Sequence, residues 1–159
     1  MATFTATRAA VTFPVTKPPA SALGVAWGQL EVAVNPVAAV IYQLCRLPRG
    51  AVVVGGYLFG DDLDTNATET LDLDLGWAAN GVEAADPDGF GNFGAQVTDT
   101  LAGIKPEAGI FFPIGNMAFI GGPLGMTFSA ETIVQVTTVA TAATFAAGTL
   151  GCVIYFYVP

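Results

Sequence analysis

The sequence contains no histidine, and only 11% of its 159 residues are charged. Without histidine the chain has no Ser-His-Asp or Cys-His nucleophilic centre, no imidazole proton shuttle and no His-liganded zinc. An ordinary soluble domain has about 25% charged residues, so this chain has unusually little charged surface. We therefore expect a protein without enzymatic activity or cofactor, much of whose surface is neutral or covered by partners.

Basic residues are scarcer than acidic ones. Five Lys and Arg stand against 13 Asp and Glu, which gives a formal net charge of -8. The five basic residues are scattered over residues 8–105, whereas nucleic-acid binding needs a clustered basic face, so we expect no nucleic-acid partner. Nine acidic residues lie within residues 61–88, and no basic residue lies between Arg49 and Lys105. This middle segment predicts an anionic, solvated face.

The chain has only two cysteines, Cys45 and Cys152, and they form no CxxC pair. The spacing therefore excludes a CxxC redox motif and a cysteine zinc site. Because both lie in apolar runs, we predict two buried free thiols. A disulfide between their two strands is the alternative, and it depends on a distance that sequence does not supply.

We also expect no secretory signal, because residues 1–10 carry threonines and Arg8 instead of a basic start followed by an apolar core. Residues 132–159 lack any charge and are long enough to span a bilayer. Threonines and the pair Gly148 and Gly151 interrupt that run, and its densest apolar part, Leu150–Val158, predicts a buried strand. We expect no membrane association.

Period-two alternation is the main secondary-structure signal. In Thr70–Trp77, four large apolar side chains alternate with polar, acidic or glycine residues, which predicts a half-buried strand. Glycine and proline turns separate the predicted strands, which favours an all-β, single-domain β-sandwich of jelly-roll type over residues 24–159. Short helical turns are predicted at Asp99–Gly103 and Ala140–Ala147. The other predicted strands are Val25–Val34, Val40–Leu47, Ala51–Phe59, Ile110–Ile114, Met117–Ile120, Thr132–Val139 and Leu150–Val158.

Residues 1–23 are rich in Thr, Ala and Pro and contain two basic residues and no acid. Consecutive prolines favour an extended chain, so we predict an extended N-terminal arm that docks onto a neighbouring protein. Its candidate contacts are the apolar anchors Phe4 and Phe13 and the charged Arg8 and Lys17. A first strand and loop of the sandwich is the alternative.

Two acidic patterns are candidate sites. The first, Asp62, Asp64 and Asn66, matches the opening of an EF-hand loop, but Ala67 and Leu73 stand where glycine and a bidentate glutamate belong. We therefore interpret this segment as a solvated acidic loop and predict no metal site.

The second pattern is the pair Asp72 and Asp74, two apart on one strand face. Paired carboxylates can hydrolyse glycosides, but that chemistry needs one acid kept protonated in a groove, and we expect these two to point into water. No catalytic residue is predicted.

The run Asp86-Pro87-Asp88-Gly89 predicts a turn. The residues that follow, Gly89–Gly94, predict a surface loop that presents Phe90 and Phe93 as contact anchors.

Five runs of sequence carry a resemblance over about Trp27–Phe112: Val25–Glu31, Leu44–Val53, Gly55–Asp62, Asp72–Trp77 and Asp86–Gly94. Together they resemble structural proteins of tailed-bacteriophage heads. The resemblance implies a β-rich decoration or cement protein, often trimeric, that binds the outside of the capsid and stabilises it. Its partner would be the major capsid protein, its place the virion exterior, and its site of synthesis the cytoplasm of the bacterial host.

Two other classes stay open. One is a different virion part, such as a head fibre base or a tail protein, which would share the strands and glycine-rich turns. The other is a β-sandwich module that binds carbohydrate or calcium. The family resemblance brings no active site with it.

Overall fold

The computed structural model describes residues 2–95, 112–113 and 126–159. Strands and one 3₁₀ turn, Thr7–Ala9, make up the regular structure of these ranges, and none of their segments forms a helix long and apolar enough to cross a membrane. The strands are β1 Thr3–Thr5, β2 Leu23–Val32, β3 Ile41–Leu47, β4 Val52–Gly60, β5 Asp72–Trp77, β6 Asp86–Ala95, β7 Phe112–Pro113, β8 Thr132–Ala140 and β9 Gly148–Tyr157.

The strands form two sheets, one in the order β1-β3-β8-β5-β6 and the other in the order β2-β9-β4-β7. Strand β2 pairs with β9, β3 with β8, β4 with β7 and β5 with β6, all antiparallel, as in a long hairpin rolled over on itself. This is the strand pairing of a jelly roll. The predicted all-β, jelly-roll-like sandwich is confirmed, and β1 adds to the five-stranded sheet by parallel pairing with β3.

The core lies between the sheets and follows the predicted alternation. Leu71, Leu73, Leu75 and Trp77 are all buried, facing side chains of the other sheet such as Ile154. At one end, the rings of Trp77, Phe90 and Phe128 pack edge to face with centroids 5.0 to 6.1 Å apart. Aromatic edge-to-face packing of this kind adds to the stability that burial supplies.

One of the two predicted helical turns differs from the structure. Residues 141–147 form no helical turn, because the backbone N–H groups of Ala143 and Thr144 donate to the Asp64 carboxylate instead. The predicted strand Met117–Ile120 and the helical turn Asp99–Gly103 lie outside the described residues. Most of the predicted strand Ile110–Ile114 does too, and its part at residues 112–113 is β7.

The segment predicted as a turn and surface loop is the strand β6. Proline is tolerated in edge strands and at bulges; β6 is an edge strand, and Pro87 lies where its pairing with β5 shifts register between Leu75 and Trp77. Phe90 is only 1% exposed and packs on Trp77, so its prediction as a surface contact is wrong. The side chain of Phe93 lies outside the described residues.

Candidate interaction surfaces

The N-terminal segment lies on the sandwich of its own chain through Phe13, and further along it the Ser21 N–H donates to the carbonyl oxygen of Val158. Residues 3–5 pair with β3, and Ala6 and Ala9 are buried. Arg46 on β3 donates from Nη1 to the carbonyl oxygens of Ala10, Val11 and Phe13, at 3.2, 3.2 and 3.0 Å. Its Nη2 forms an ion pair with the carboxylate of Glu131. These contacts hold residues 10–13 against β3.

Two of the predicted contact residues come together beside β2. The Arg8 guanidinium lies 3.7 Å from the ring centroid of Trp27 and 5.0 Å from that of Phe13, which are cation–π distances. Phe4 lies elsewhere and stacks on Tyr42, with centroids 5.5 Å apart, while half of its surface stays exposed. Lys17 is exposed.

Much of the outer surface of the four-stranded sheet is apolar, and the sequence did not predict it; the polar residues Gln29 and Glu31 lie at one end of its β2 edge. On β2, Leu23, Val25 and Trp27 are 63%, 53% and 40% exposed. On the neighbouring strands, the outward side chains are half-buried apolar and aromatic groups. We call this surface the apolar face; it comprises Leu23, Val25, Trp27, Tyr57, Phe59, Val153, Tyr155 and Tyr157. The available signal lay in the first half of β2, where the outward residues Leu23, Val25 and Trp27 are apolar, whereas a strand with one solvated face alternates with polar residues. The outward residues that follow, Gln29 and Glu31, are polar.

The outer surface of the five-stranded sheet carries acids instead. We call it the acidic face, comprising Asp72, Asp74, Asp86 and Asp88. The expectation that Asp72 and Asp74 point into water is wrong for Asp74, which is only 8% exposed. The start of β6 crosses over β5 here, so close that a side-chain carbon on Gly76 would lie 1.9 Å from the Asp86 carbonyl oxygen.

This burial changes the ionisation of the acidic face. Burial, and then the charges of Asp72 and Asp88, raise the pKa of Asp74 to about 6. Burial also raises the pKa of Asp72, and burial together with Asp88 raises that of Asp86. Within the described residues, no donor reaches Oδ1 of Asp72 or Asp74. An uncompensated buried carboxylate favours its protonated form.

The acidic loop after β4 is organised around Asp64, which is 2% exposed. Oδ2 accepts the backbone N–H groups of Thr70, Leu71 and Ala143, and Oδ1 accepts those of Asn66 and Thr144. Burial raises the pKa of Asp64, but these hydrogen bonds outweigh it and hold the pKa at about 2.

The neighbouring acids of this loop are engaged in the same way. Asp61 accepts the N–H of Thr149, and Asp62 accepts the N–H of Asp64. In the described part of the chain, no group of three or more His, Cys, Asp or Glu side chains is placed to hold a metal ion. The observed role of these carboxylates is to cap backbone donors.

Comparison with known proteins gives the fold a context. No protein-family model matches the sequence, and no curated protein sequence matches it significantly. Among solved structures, a chain in the capsid of Ralstonia phage GP4 is similar with a TM-score of 0.70 and 23% identity, over 99% of both chains. A chain in the cyanophage Pam1 capsid asymmetric unit is similar with a TM-score of 0.60 and 24% identity, over 94% of this chain and 96% of that one.

A third similar chain belongs to the acidic stable capsid structure of Helicobacter pylori bacteriophage KHP30. Its TM-score is 0.55 at 18% identity, over 86% of this chain and 89% of that one. The chain therefore has a fold that occurs in three phage capsid structures, over nearly its whole length. The resemblance found in the sequence is confirmed at the level of the fold.

Proposed function

We propose that the protein is a non-enzymatic structural component of a phage virion that binds the outside of the capsid and stabilises it. The observation that carries this proposal is the contrast between its two outer surfaces. A solvated sandwich has polar residues on both outer surfaces, whereas this one has an apolar face and an acidic face. A contiguous apolar surface on a folded protein is typical of an interface. The similarity of its fold to chains in three phage capsid structures supports the proposal that the protein acts on a phage capsid.

In this proposal the apolar face forms the contacts between three copies in a homotrimer. Copies related by a closed rotation bury the same surface in every subunit, so none of the apolar face stays in water. The acidic face then points away from the particle, where its charge keeps particles apart.

The segment 1–23 supplies the contacts to the major capsid protein. Among the described members of the predicted contact set, Phe4 and Lys17 are exposed, and Arg8 and Phe13 hold the segment beside the apolar face. The division into an arm of residues 1–23 and a body from residue 24 is part of this proposal, with residues 2–13 of the arm packed on the sandwich of their own chain. Another virion part, such as a head fibre base, would also attach to heads, so the outcome that separates it from a capsid-stabilising protein is whether heads that carry the protein withstand heating better than bare heads.

The trimer is tested by placing a charge on the apolar face. Val25→Glu changes a side chain that is already 53% exposed, so the subunit should stay folded while the trimer separates into monomers. Val82→Glu is the matched control, because Val82 is 66% exposed and lies in the loop between β5 and β6. Sedimentation equilibrium should give three times the 16.3 kDa chain mass for the wild type and the control, and one chain mass for Val25→Glu. A monomeric wild type at micromolar concentration, or a trimeric Val25→Glu, contradicts the proposal.

A further inference from the structure

Cys45 and Cys152 face each other across the core from opposite sheets. Cys45 lies on β3 of the five-stranded sheet, and Cys152 lies on β9 of the four-stranded sheet. Both are buried free thiols, and their Sγ atoms are 3.8 Å apart. The structure thus brings together two thiols that are 107 residues apart in sequence.

Beside this pair, the backbones of the two sheets lie closer to each other than in an ordinary sandwich. A disulfide needs Cα atoms about 4.4 to 6.8 Å apart, whereas stacked sheets lie about 10 Å apart. Gly28 is the β2 neighbour of Cys152, and a side-chain carbon on it would lie 1.8 Å from the Leu44 carbonyl oxygen and 3.4 Å from the Cys45 nitrogen. The backbones of β2 and β3 therefore touch beside the two thiols.

A bulge in β3 turns the Cys45 side chain inward, toward Cys152. The pairing of β3 with β8 shifts register between Gln43 and Cys45, so that Leu44 and Cys45 are both buried although they are consecutive. A bulge re-aims the side chain that follows it. In a regular strand, Cys45 would lie on the outer surface, out of reach of Cys152.

We propose that Cys45 and Cys152 form an inter-sheet disulfide when the chain folds in the presence of a low-molecular-weight disulfide oxidant such as oxidised glutathione. One thiolate attacks the oxidant and releases one glutathione thiol, and the second thiolate then displaces the other glutathione. Two protein S–H bonds and the S–S bond of oxidised glutathione break, and one Sγ–Sγ bond and two glutathione S–H bonds form. The two electrons and two protons end on the two glutathione thiols.

The disulfide forms during folding or while the core is transiently open. The hydrogen bond to the Cys45 thiol, and then burial, raise the pKa of Cys152 well above its ordinary value, which suppresses the thiolate in the closed protein. Once formed, the bond is shielded from reductants by the same burial. It would tie the two sheets together across a 107-residue separation, where a cross-link strongly restricts the unfolded chain.

The test refolds the full chain from reduced, denatured protein, in parallel in oxidised and in reduced glutathione. After refolding in oxidised glutathione, the intact mass should be lower than that of the reduced protein by two hydrogens. When the refolded protein is then denatured, no thiol should react with maleimide. The melting temperature should exceed that of the reduced protein by about 10 °C. Cys152→Ala, treated identically, should retain one thiol, free or carrying glutathione, and should gain no such increase.

Two results would overturn the proposal. One is a wild-type protein whose two thiols both still react with maleimide, or both carry glutathione, after refolding in oxidised glutathione. The other is a cross-linked protein that melts below the reduced one. If Cys152→Ala fails to fold, the wild-type comparison of mass, thiol content and melting temperature still decides the question.

Discussion

Replacing Asp64 by asparagine is expected to lower the free energy of unfolding at pH 7 by about 3 kcal/mol, because it leaves buried backbone donors facing an amide NH₂ group. The carboxylate accepts five backbone N–H groups, from residues 66, 70, 71, 143 and 144. Asparagine has one acceptor oxygen, so at least two of these donors lose their partner. Those donors come from both loops that Asp64 joins, and both loops should loosen.

Asp62→Asn is the matched control for this variant. Asp62 lies two residues earlier in the same loop and accepts a single N–H, that of Asp64. Urea unfolding should therefore show a loss of less than about 1 kcal/mol for Asp62→Asn. Equal stability of Asp64→Asn and the wild type would show that the five hydrogen bonds do not organise the loop.

Asp64 also makes the protein sensitive to strong acid. Its folded pKa of about 2 lies below the ordinary value of 3.8, so its stabilising contribution is complete above that ordinary value. The contribution, about 2 kcal/mol, is lost as the pH falls through the folded value. The Asp64→Asn variant should lack this part of the acid transition.

Replacing Asp74 by asparagine should have the opposite effect and raise the free energy of unfolding at pH 7 by about 2 kcal/mol. Burial and the charges of Asp72 and Asp88 raise the pKa of Asp74 from 3.8 to about 6. A raised pKa means that the stabilising protonated state is fully present below the unfolded value of 3.8. It is lost as the pH rises through about 6.

The control for Asp74→Asn is Asp88→Asn, which removes one of the same repelling charges from an exposed position. Its gain at pH 7 should stay below about 0.5 kcal/mol. Thermal melting between pH 4 and pH 8 should show that the advantage of Asp74→Asn disappears at the acidic end. An advantage that is constant over this range, or a variant less stable than the wild type at pH 7, would mean that the Asp74 carboxylate is not destabilised in the fold.

The sandwich was predictable because its strands carry local signals. In β5 the four large apolar residues alternate along the strand, and all four are buried. Strand β6 has no such signal, because Asp86-Pro87-Asp88-Gly89 has the composition of a turn. Gly89 is needed there because the Trp77 ring occupies the space of a side chain, with its Cζ3 2.1 Å from where a side-chain carbon would lie. That requirement arises from tertiary packing, so it produces no periodic pattern in the sequence.

The charged sites were less predictable for the same reason. Alternation placed Asp72 and Asp74 on the outer side of β5, but the burial of Asp74 depends on the path of β6 over Gly76. The pattern of Asp62, Asp64 and Asn66 indicated an acidic loop, but two of the five backbone donors to Asp64, Ala143 and Thr144, lie 79 and 80 residues further along the chain. Charge and spacing in sequence identify candidate acids and do not identify their partners.

The most direct measurement of the central claim is co-sedimentation of the purified protein with phage heads assembled without it. We predict that the wild type pellets with the heads and saturates them, and that heads carrying it withstand heating better than bare heads. The variant Lys17→Glu, which changes an exposed residue of the segment 1–23, should bind heads several-fold more weakly than the wild type. The control Arg49→Glu changes an exposed basic residue in the turn between β3 and β4 and should bind like the wild type. A wild-type protein that stays in the supernatant and leaves the heads as fragile as before would contradict the claim that it is a capsid-stabilising protein.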